Sequence, residues 1–423
     1  MTAPEWRARG RVAAVLLVAA AVGGCATTQQ HEQEIDVPPE QMNSYLSDKP
    51  EELHRLYAKV LTQGERNAVL NHTRAGLAAM QLGYWDTAER SFDQALLSIE
   101  AVYAENEDAE KARSIWVKEN YKAFKGEPYE RAMAYYYRGL LYLREGDYEN
   151  ARASFKGGLL QDTLAQVNTY SQDFALLSFL SGWASHCNGN DDLAETAFEE
   201  AREHNAGLRA PSADARLLLV GETGLAPRKV AVGEYGEALA LQRATGFRDQ
   251  SVDVDMSGGQ VGLVEAEDVF FQANTRGGRE VERILEGQAQ FKDASDTVGD
   301  AALVGGAAAT SYGLSSGNDG AAAAGLAVMA MGLVAKGMSA ATRPDADVRT
   351  WDNLPDKVHL AAVEADPVPA TATAKFLAEG GQPMARREFK IHDAGACAIG
   401  WARAHDAAEI PDAAPGSAAG SSN

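Results

Sequence analysis

Three cysteines, eight histidines and a serine in a suggestive pentapeptide stand beside 60 Asp and Glu residues as the chain's candidate nucleophiles, bases and metal ligands. Gly313, Leu314, Ser315, Ser316 and Gly317 spell G-x-S-x-G. That pattern makes a serine nucleophilic only between a buried strand and a helix, where the turn thrusts the hydroxyl towards a histidine and an oxyanion hole. Here it follows an Ala-rich stretch with helical spacing and lies in a loop of Gly, Ser and Asn. His359, His392 and His405 lie downstream in no recognisable triad context. His186 and Cys187 are adjacent, but no further ligands stand at the intervals that metal sites use. A phosphate-cradling glycine loop with its lysine and a dinucleotide fingerprint are both missing from the sequence. The expectation is a protein without catalytic residues, metal or cofactor.

Cys25 carries a different chemistry. Arg7, Arg9 and Arg11 precede an apolar run over residues 12–22, the charged-then-apolar order of a secretory signal. The run is shorter than the roughly 20 apolar residues a bilayer span needs. It ends in Val22, Gly23, Gly24 and Cys25, which resembles the lipobox of bacterial lipoprotein signals: an aliphatic residue, two small ones and a cysteine that becomes the acylated N-terminus. The alternatives are an ordinary secretory signal with a chance cysteine, or an uncleaved anchor helix. Ala26 stands where an Asp would, by the sorting rule of such lipoproteins, retain the protein in the inner membrane. The resemblance therefore implies lipid anchoring in the outer membrane, facing the periplasm. Two or more fatty acyl chains, palmitate among them, hold firmly at about 0.8 kcal/mol per buried methylene. Residues 1–24 are read as a signal peptide and 25–50 as the lipidated N-terminus and a flexible tether, with Gln29, Gln30, Gln33, Pro38, Pro39 and Pro50 among charges.

The 423-residue chain, with the signal removed, is long enough for two cores, and a formal net charge of -21 argues against a nucleic-acid partner. Beyond Cys25 only Cys187 and Cys397 are left. Two buried free thiols are the expectation and one disulfide the alternative, since they fall in different domains.

Three segments between residues 51 and 210 superimpose on one spacing. Gly76, Gly83, Trp85, Ala88, Phe92 and Ala95 are matched by Gly139, Gly146, Tyr148, Ala151, Phe155 and Gly158, and again by Gly182, Gly189, Asp191, Ala194, Phe198 and Ala201. Steps of four and three put the Ala and Phe positions on one helical face, where small residues let two helices approach. Gly83, Gly146 and Gly189 fall between paired helices, where a left-handed turn residue is wanted. This spacing resembles the tetratricopeptide repeat. The resemblance implies a helical solenoid with a concave groove for a protein or peptide partner. The segment 102–129, with Trp116, Val117, Tyr121 and Phe124, reads as an inserted excursion. Tyr135, Tyr136 and Tyr137 are candidates for the groove, packing between repeats being the alternative; His186 is expected to pack in the third repeat.

From residue 211 the pattern shifts. Short strand candidates lie at 217–220, 252–256, 260–274, 357–363, 388–391 and 398–401, enough for a small mixed sheet. Between them Ala301, Gly305, Ala309 and Gly313, then Gly325, Gly332 and Ser339, put small residues on one face of each arm of a Gly/Ala-rich helical hairpin over 279–342. Arg349, Trp351, Leu354 and Pro355 follow, and with the run 222–227 they resemble an uncharacterised family of bacterial envelope lipoproteins with a Gly/Ala-rich segment before an Arg-x-Trp-x-x-Leu-Pro stretch. That resemblance implies an envelope role, leaning towards cell-envelope assembly, and no activity. Trp351 and Leu354 are expected to plug the sheet edge, and Pro355 to set the entry to the next strand.

The fold expected is therefore mainly α: a TPR-like solenoid over 51–210, a smaller α+β domain over 211–407 and a disordered tail over 408–423. The function expected is a lipid-anchored periplasmic scaffold or adaptor whose repeats bind an envelope protein. Two alternatives stand beside it: a membrane-active protein that inserts its hairpin, and an envelope enzyme without a readable motif.

Overall fold

Glycine facing phenylalanine joins the helices of this protein in pairs. The computed structural model describes residues 34–104, 123–163, 173–232, 238–244, 247–275 and 347–407. The signal peptide, Cys25, most of the 102–129 excursion, the pentapeptide at 313–317, the hairpin over 279–342 and the tail over 408–423 lie outside them. After α1 (Pro39–Leu46) and α2 (His54–Gln63) come three antiparallel pairs: α3 (Ala68–Gln81) with α4 (Trp85–Ala104), α5 (Pro128–Glu145) with α6 (Tyr148–Thr163), and α7 (Ala175–Cys187) with α8 (Asp191–His204). Gly83, Gly146 and Gly189 turn between the partners with φ of 81, 77 and 72°, a conformation costly to any residue with a Cβ. A Cβ at Gly76 would lie 3.1 Å from the Phe92 ring and one at Gly182 2.9 Å from Phe198; at Gly139 it would overlap Phe155. Ala88, Phe92, Ala95, Ala151, Phe155, Ala194, Phe198 and Ala201 are all buried along these seams.

Gly139→Ala sets two effects against each other. Alanine gains about 1 kcal/mol over glycine in a helix interior, whereas overpacking a tight seam costs typically 1–3 kcal/mol. Because the Phe155 ring is pinned between two helices, the clash is expected to win, for a net loss of about 1 kcal/mol in urea unfolding. A variant as stable as wild type, or more stable, would mean that α5 and α6 are not held at glycine distance.

The second half is where the expected fold class is overturned. Strands β1 (Leu217–Thr223), β4 (Asp249–Met256), β5 (Gly259–Gly262), β6 (Val264–Asp268), β7 (Lys357–Val363), β8 (Thr371–Ala378), β9 (Pro383–Asp393) and β10 (Ala398–Arg403) form one sheet in the order β5-β4-β8-β9-β10-β1-β7-β6. It is eight-stranded and nearly closed, like a barrel, and the described residues are 46% helix and 24% strand, so the fold is not a mainly α solenoid. β2 (Arg228–Val232) and β3 (Ala238–Gln242) pair separately, and the short helix α9 (Val269–Thr275) follows β6. β1 and β10 run parallel, and every other pairing is antiparallel.

Alternation along the strands divides two cores. Leu217 and Leu219 of β1 point into the barrel with Val252, Val254, Ala374, Phe376, Ala398 and Ala402. Gly221 continues that face, and a Cβ there would meet Val252 at 2.9 Å. Leu218, Val220 and Ile399 point the other way and join Leu140, Leu141, Leu177 and Leu180 in the core shared with the helices. The face of the helix array expected to form an open groove is thus closed by the sheet.

Three further expectations change. The tether gives way to ordered chain from residue 34: Ile35 N–H donates to Thr62 O at 2.6 Å, and α1 and α2 precede the first pair. Cys187 and Cys397 are bridged, with Cα atoms 5.6 Å apart, which joins the end of α7 to the start of β10 and replaces the two free thiols. Trp351 does not plug a sheet edge. Its ring lies between the layers, 6.2 Å from the Phe92 centroid and 5.8 Å from that of Tyr137.

The rest of that motif is a strap. Arg349 donates to Asn67 Oδ1 at 2.7 Å and pairs with Asp347. Arg74 takes Asp352 in a two-point grip at 2.7 and 2.8 Å, and Asn353 Nδ2 donates to Arg74 O at 3.1 Å. On the sheet side Arg403 Nη2 donates to Asn353 O at 2.8 Å, and Ala226 N–H to Leu354 O at 2.8 Å. Pro355 is buried directly before β7.

Candidate functional site

Polar groups at the helix–sheet seam are buried in unusual number, and most of them answer one another. Glu130, in the first turn of α5, accepts from Trp351 N–H at 2.7 Å and from Lys229 Nζ at 3.0 Å. Two turns on, Tyr136 and Tyr137 donate their hydroxyls to Glu222 Oε1 and Oε2, each at 3.0 Å, and Trp401 Nε1 donates to Oε1 at 3.0 Å. Burial pushes the Glu222 carboxyl up, against the opposing pull of Arg403 and of these donors. Tyr136 and Tyr137 are therefore locking groups inside the protein, not groove residues; Tyr135 is half-buried and donates to Glu100 at 3.0 Å.

Glu267 on β6 is a buried carboxylate with no cation beside it among its hydrogen-bond partners. It accepts from Gln272 Nε2 at 3.0 Å and from Leu176 N–H at 3.4 Å, and burial pushes it up to about 8. The folded chain thus binds a proton that the unfolded chain releases near 4.5, so stability present below that pH is lost as pH rises through about 8. Glu267→Gln is expected to flatten that decline and to be the more stable protein at pH 8 by roughly 2 kcal/mol. Thermal unfolding of both proteins between pH 5 and 8.5 checks this; parallel pH profiles would contradict it.

The histidines singled out in the sequence do not converge. His186 Nε2 donates to Ala215 O at 2.8 Å, and His359 shares a 3.0 Å hydrogen bond with Thr223 Oγ1, its pKa pushed down to about 4 by burial. His405 Nε2 donates to Asp249 Oδ1 at 2.9 Å. For Asp249 this bond and the Gly224 N–H outweigh burial, so its pKa is lowered. Among the described residues no group of three or more His, Cys, Asp and Glu is placed to hold a metal ion.

Several buried polar atoms make no hydrogen bond, Arg403 Nη1 and Asp356 Oδ1 among them, and two of them lie at one cleft. Where the helix layer stops short of β9, a cleft is lined by Trp85, Leu140, Arg144, Lys390, His392 and Trp401. Its free space is about 20 Å³, enough for about one water molecule. The Arg144 guanidinium lies over the Trp85 ring at 4.6 Å, and Trp85 meets His392 edge-on at 5.1 Å. Arg144 Nε and His392 Nε2 are buried and make no hydrogen bond. Burial lowers the His392 pKa first, and the nearby Arg144 and Lys390 charges lower it further.

Four elements build this cleft. The glycine turn at Gly83 starts α4 at Trp85, and the last turn of α5 carries Arg144. Alternation on β9 places Lys390 and His392 on one face, and the pairing of His392 with Ile399 sets Trp401 of β10 beside them. None of these residues except Trp85 and His392 stands out in the sequence. The available signal is the alternation Arg386, Glu388, Lys390, His392, a strand with a polar outer face. Compared with protein-family models, with characterised proteins and with solved structures, the chain matches none.

Proposed function

We propose that this chain is a lipid-anchored adaptor of the bacterial envelope, without catalytic activity of its own, that holds a protein partner at the cleft between its helix layer and its sheet. The observation that carries the reading is the cleft: a cationic, aromatic-walled recess whose polar edge has no partner within the described chain. The Cys25 signal, with its resemblance to a lipobox, supports the anchor. The Cys187–Cys397 bridge supports an oxidising compartment such as the periplasm, since disulfides persist there and are rare in the cytosol. Confinement to the outer membrane would raise the effective concentration of the bound partner at that surface.

Among the described residues no helix is long and apolar enough to cross a membrane. Labelling with radioactive palmitate tests the anchor: the wild-type chain is expected to take up label and sediment with membranes, and Cys25→Ser to lose both. Label in the Cys25→Ser variant equal to wild type would overturn the anchor.

A further inference from the structure

We infer that the cleft is a carboxylate site that takes an acidic side chain from an extended segment of the partner protein; this rests on the adaptor reading and names the chemistry it would recognise. Charge pairing elsewhere in the chain gives the first argument. In a protein of formal net charge -21, Arg74, Arg138, Arg243, Arg349 and Arg403 each stand within ion-pair distance of a carboxylate. Among the described residues Arg144 and Lys390 form no such pair. Glu145, Asp86 and Glu89 act on Arg144 only through space.

The shape of the recess gives the second. The Arg144 guanidinium carbon stands 4.6 Å from the Trp85 ring centre and its buried Nε makes no hydrogen bond, so the donors it has left to offer lie along its planar edge. A planar carboxylate matches such an edge with two parallel hydrogen bonds, and Lys390 beside it adds a point charge. The walls, Leu140, Leu141 and Ile399, are apolar and the free space is small. A tetrahedral phosphate would press its remaining oxygens against those walls without hydrogen bonds, which is costly.

The third argument is what lies outside. The cleft opens along the outer face of β9, where Arg386, Glu388 and Lys390 are exposed. Arg386 and Lys390 are four strand residues apart, roughly 13 Å, with Glu388 between them on the same face, so an extended segment with acidic residues four positions apart and a neutral one between them keeps step with Arg386 and with Lys390 at the cleft.

A fluorescent peptide Ser-Glu-Ser-Ser-Ser-Glu, measured by anisotropy against the full chain, tests the assignment beside Ser-Gln-Ser-Ser-Ser-Gln. The Glu peptide is expected to bind at least about tenfold more tightly than the Gln peptide, the worth of one charge-assisted pair. Arg144→Gln and the exposed-site variant Lys390→Gln are each expected to weaken it, and Arg144→Lys is not expected to restore it, having no planar fork. Inorganic phosphate and phosphatidylglycerol vesicles are expected to leave the peptide bound. Equal binding of both peptides, displacement by phosphate or vesicles, or unchanged binding by a folded Lys390→Gln protein would each overturn the inference. Should the Glu peptide fail while a photocrosslinker at position 390 still captures one envelope protein, the carboxylate assignment falls and the adaptor reading stands. Should both fail, both fall.

Discussion

Trp351→Ala is expected to lower the stability of the folded chain by about 3–5 kcal/mol, the range for removing a large buried aromatic. The ring is almost wholly buried and packs on the helix layer, its centre 6.2 Å from that of Phe92 and 5.8 Å from that of Tyr137. Removing it opens a cavity between two rigid layers that cannot collapse towards each other, because Arg74–Asp352 and Arg403–Asn353 hold their spacing. Its backbone N–H would keep Glu130, while the indole N–H bond to the buried Asn353 Oδ1 would be lost together with the packing. Trp351→Phe retains most of the volume and is expected to cost well under half as much. Urea unfolding of the three proteins checks the order; equal stability of Trp351→Ala and wild type would show that the strap is dispensable.

Glu222→Ala is the second large effect. It would strand the hydroxyls of Tyr136 and Tyr137, the Trp401 indole N–H and the guanidinium of Arg403, whose Nε stands 3.4 Å from Oε2. Breaking a buried ion pair from one side costs about 3–5 kcal/mol, because the charge left behind has no water to turn to. Removing both charges costs less than the sum, since two well-packed apolar side chains avoid the desolvation that the pair must overcome. The double variant Glu222→Leu with Arg403→Met is therefore expected to be more stable than the sum of its singles predicts by well over 0.5 kcal/mol, the limit of ordinary additivity. Additive singles would mean that the two groups do not interact across the seam.

These two residues also show what the chain discloses before it is folded. The helix pairs were legible, because Gly–Phe seams such as Gly139 with Phe155 repeat at fixed intervals and because helix contacts are local. Strands at 217–220, 252–256, 357–363 and 398–401 were legible as well, each lying within an observed strand. What misled was the weight given to them. β8, Thr-Ala-Thr-Ala-Lys-Phe-Leu-Ala, buries only Ala372, Ala374 and Phe376, and small residues give a weak alternation signal. β9 has a burial pattern so exposed that four residues were visible out of an eleven-residue strand. Without β8 and β9 the sheet is a small appendage; with them it closes and covers the helices.

Pairings distant in sequence were not legible at all. Cys187 and Cys397 are 210 positions apart, and only the parallel placement of β10 beside β1 brings them together. The Tyr135–Tyr137 run was visible as a cluster, but the direction of the Tyr136 and Tyr137 hydroxyls was decided by Glu222, some 85 residues away. The candidate cleft is the same case: Trp85, Arg144, His392 and Trp401 come from four elements and share no motif. The Arg349 to Pro355 stretch was visible as a motif, while its service as a strap needed partners at Asn67, Arg74 and Arg403.

A photoreactive residue at position 390, in full-length protein expressed in intact cells, tests the adaptor reading most directly. One dominant crosslinked envelope protein is expected, whose yield falls when Arg144→Gln is added and when the Glu peptide is supplied to opened cells. Crosslinks that persist unchanged in the Arg144→Gln background, or none in a protein shown to be folded and membrane-bound, would contradict it.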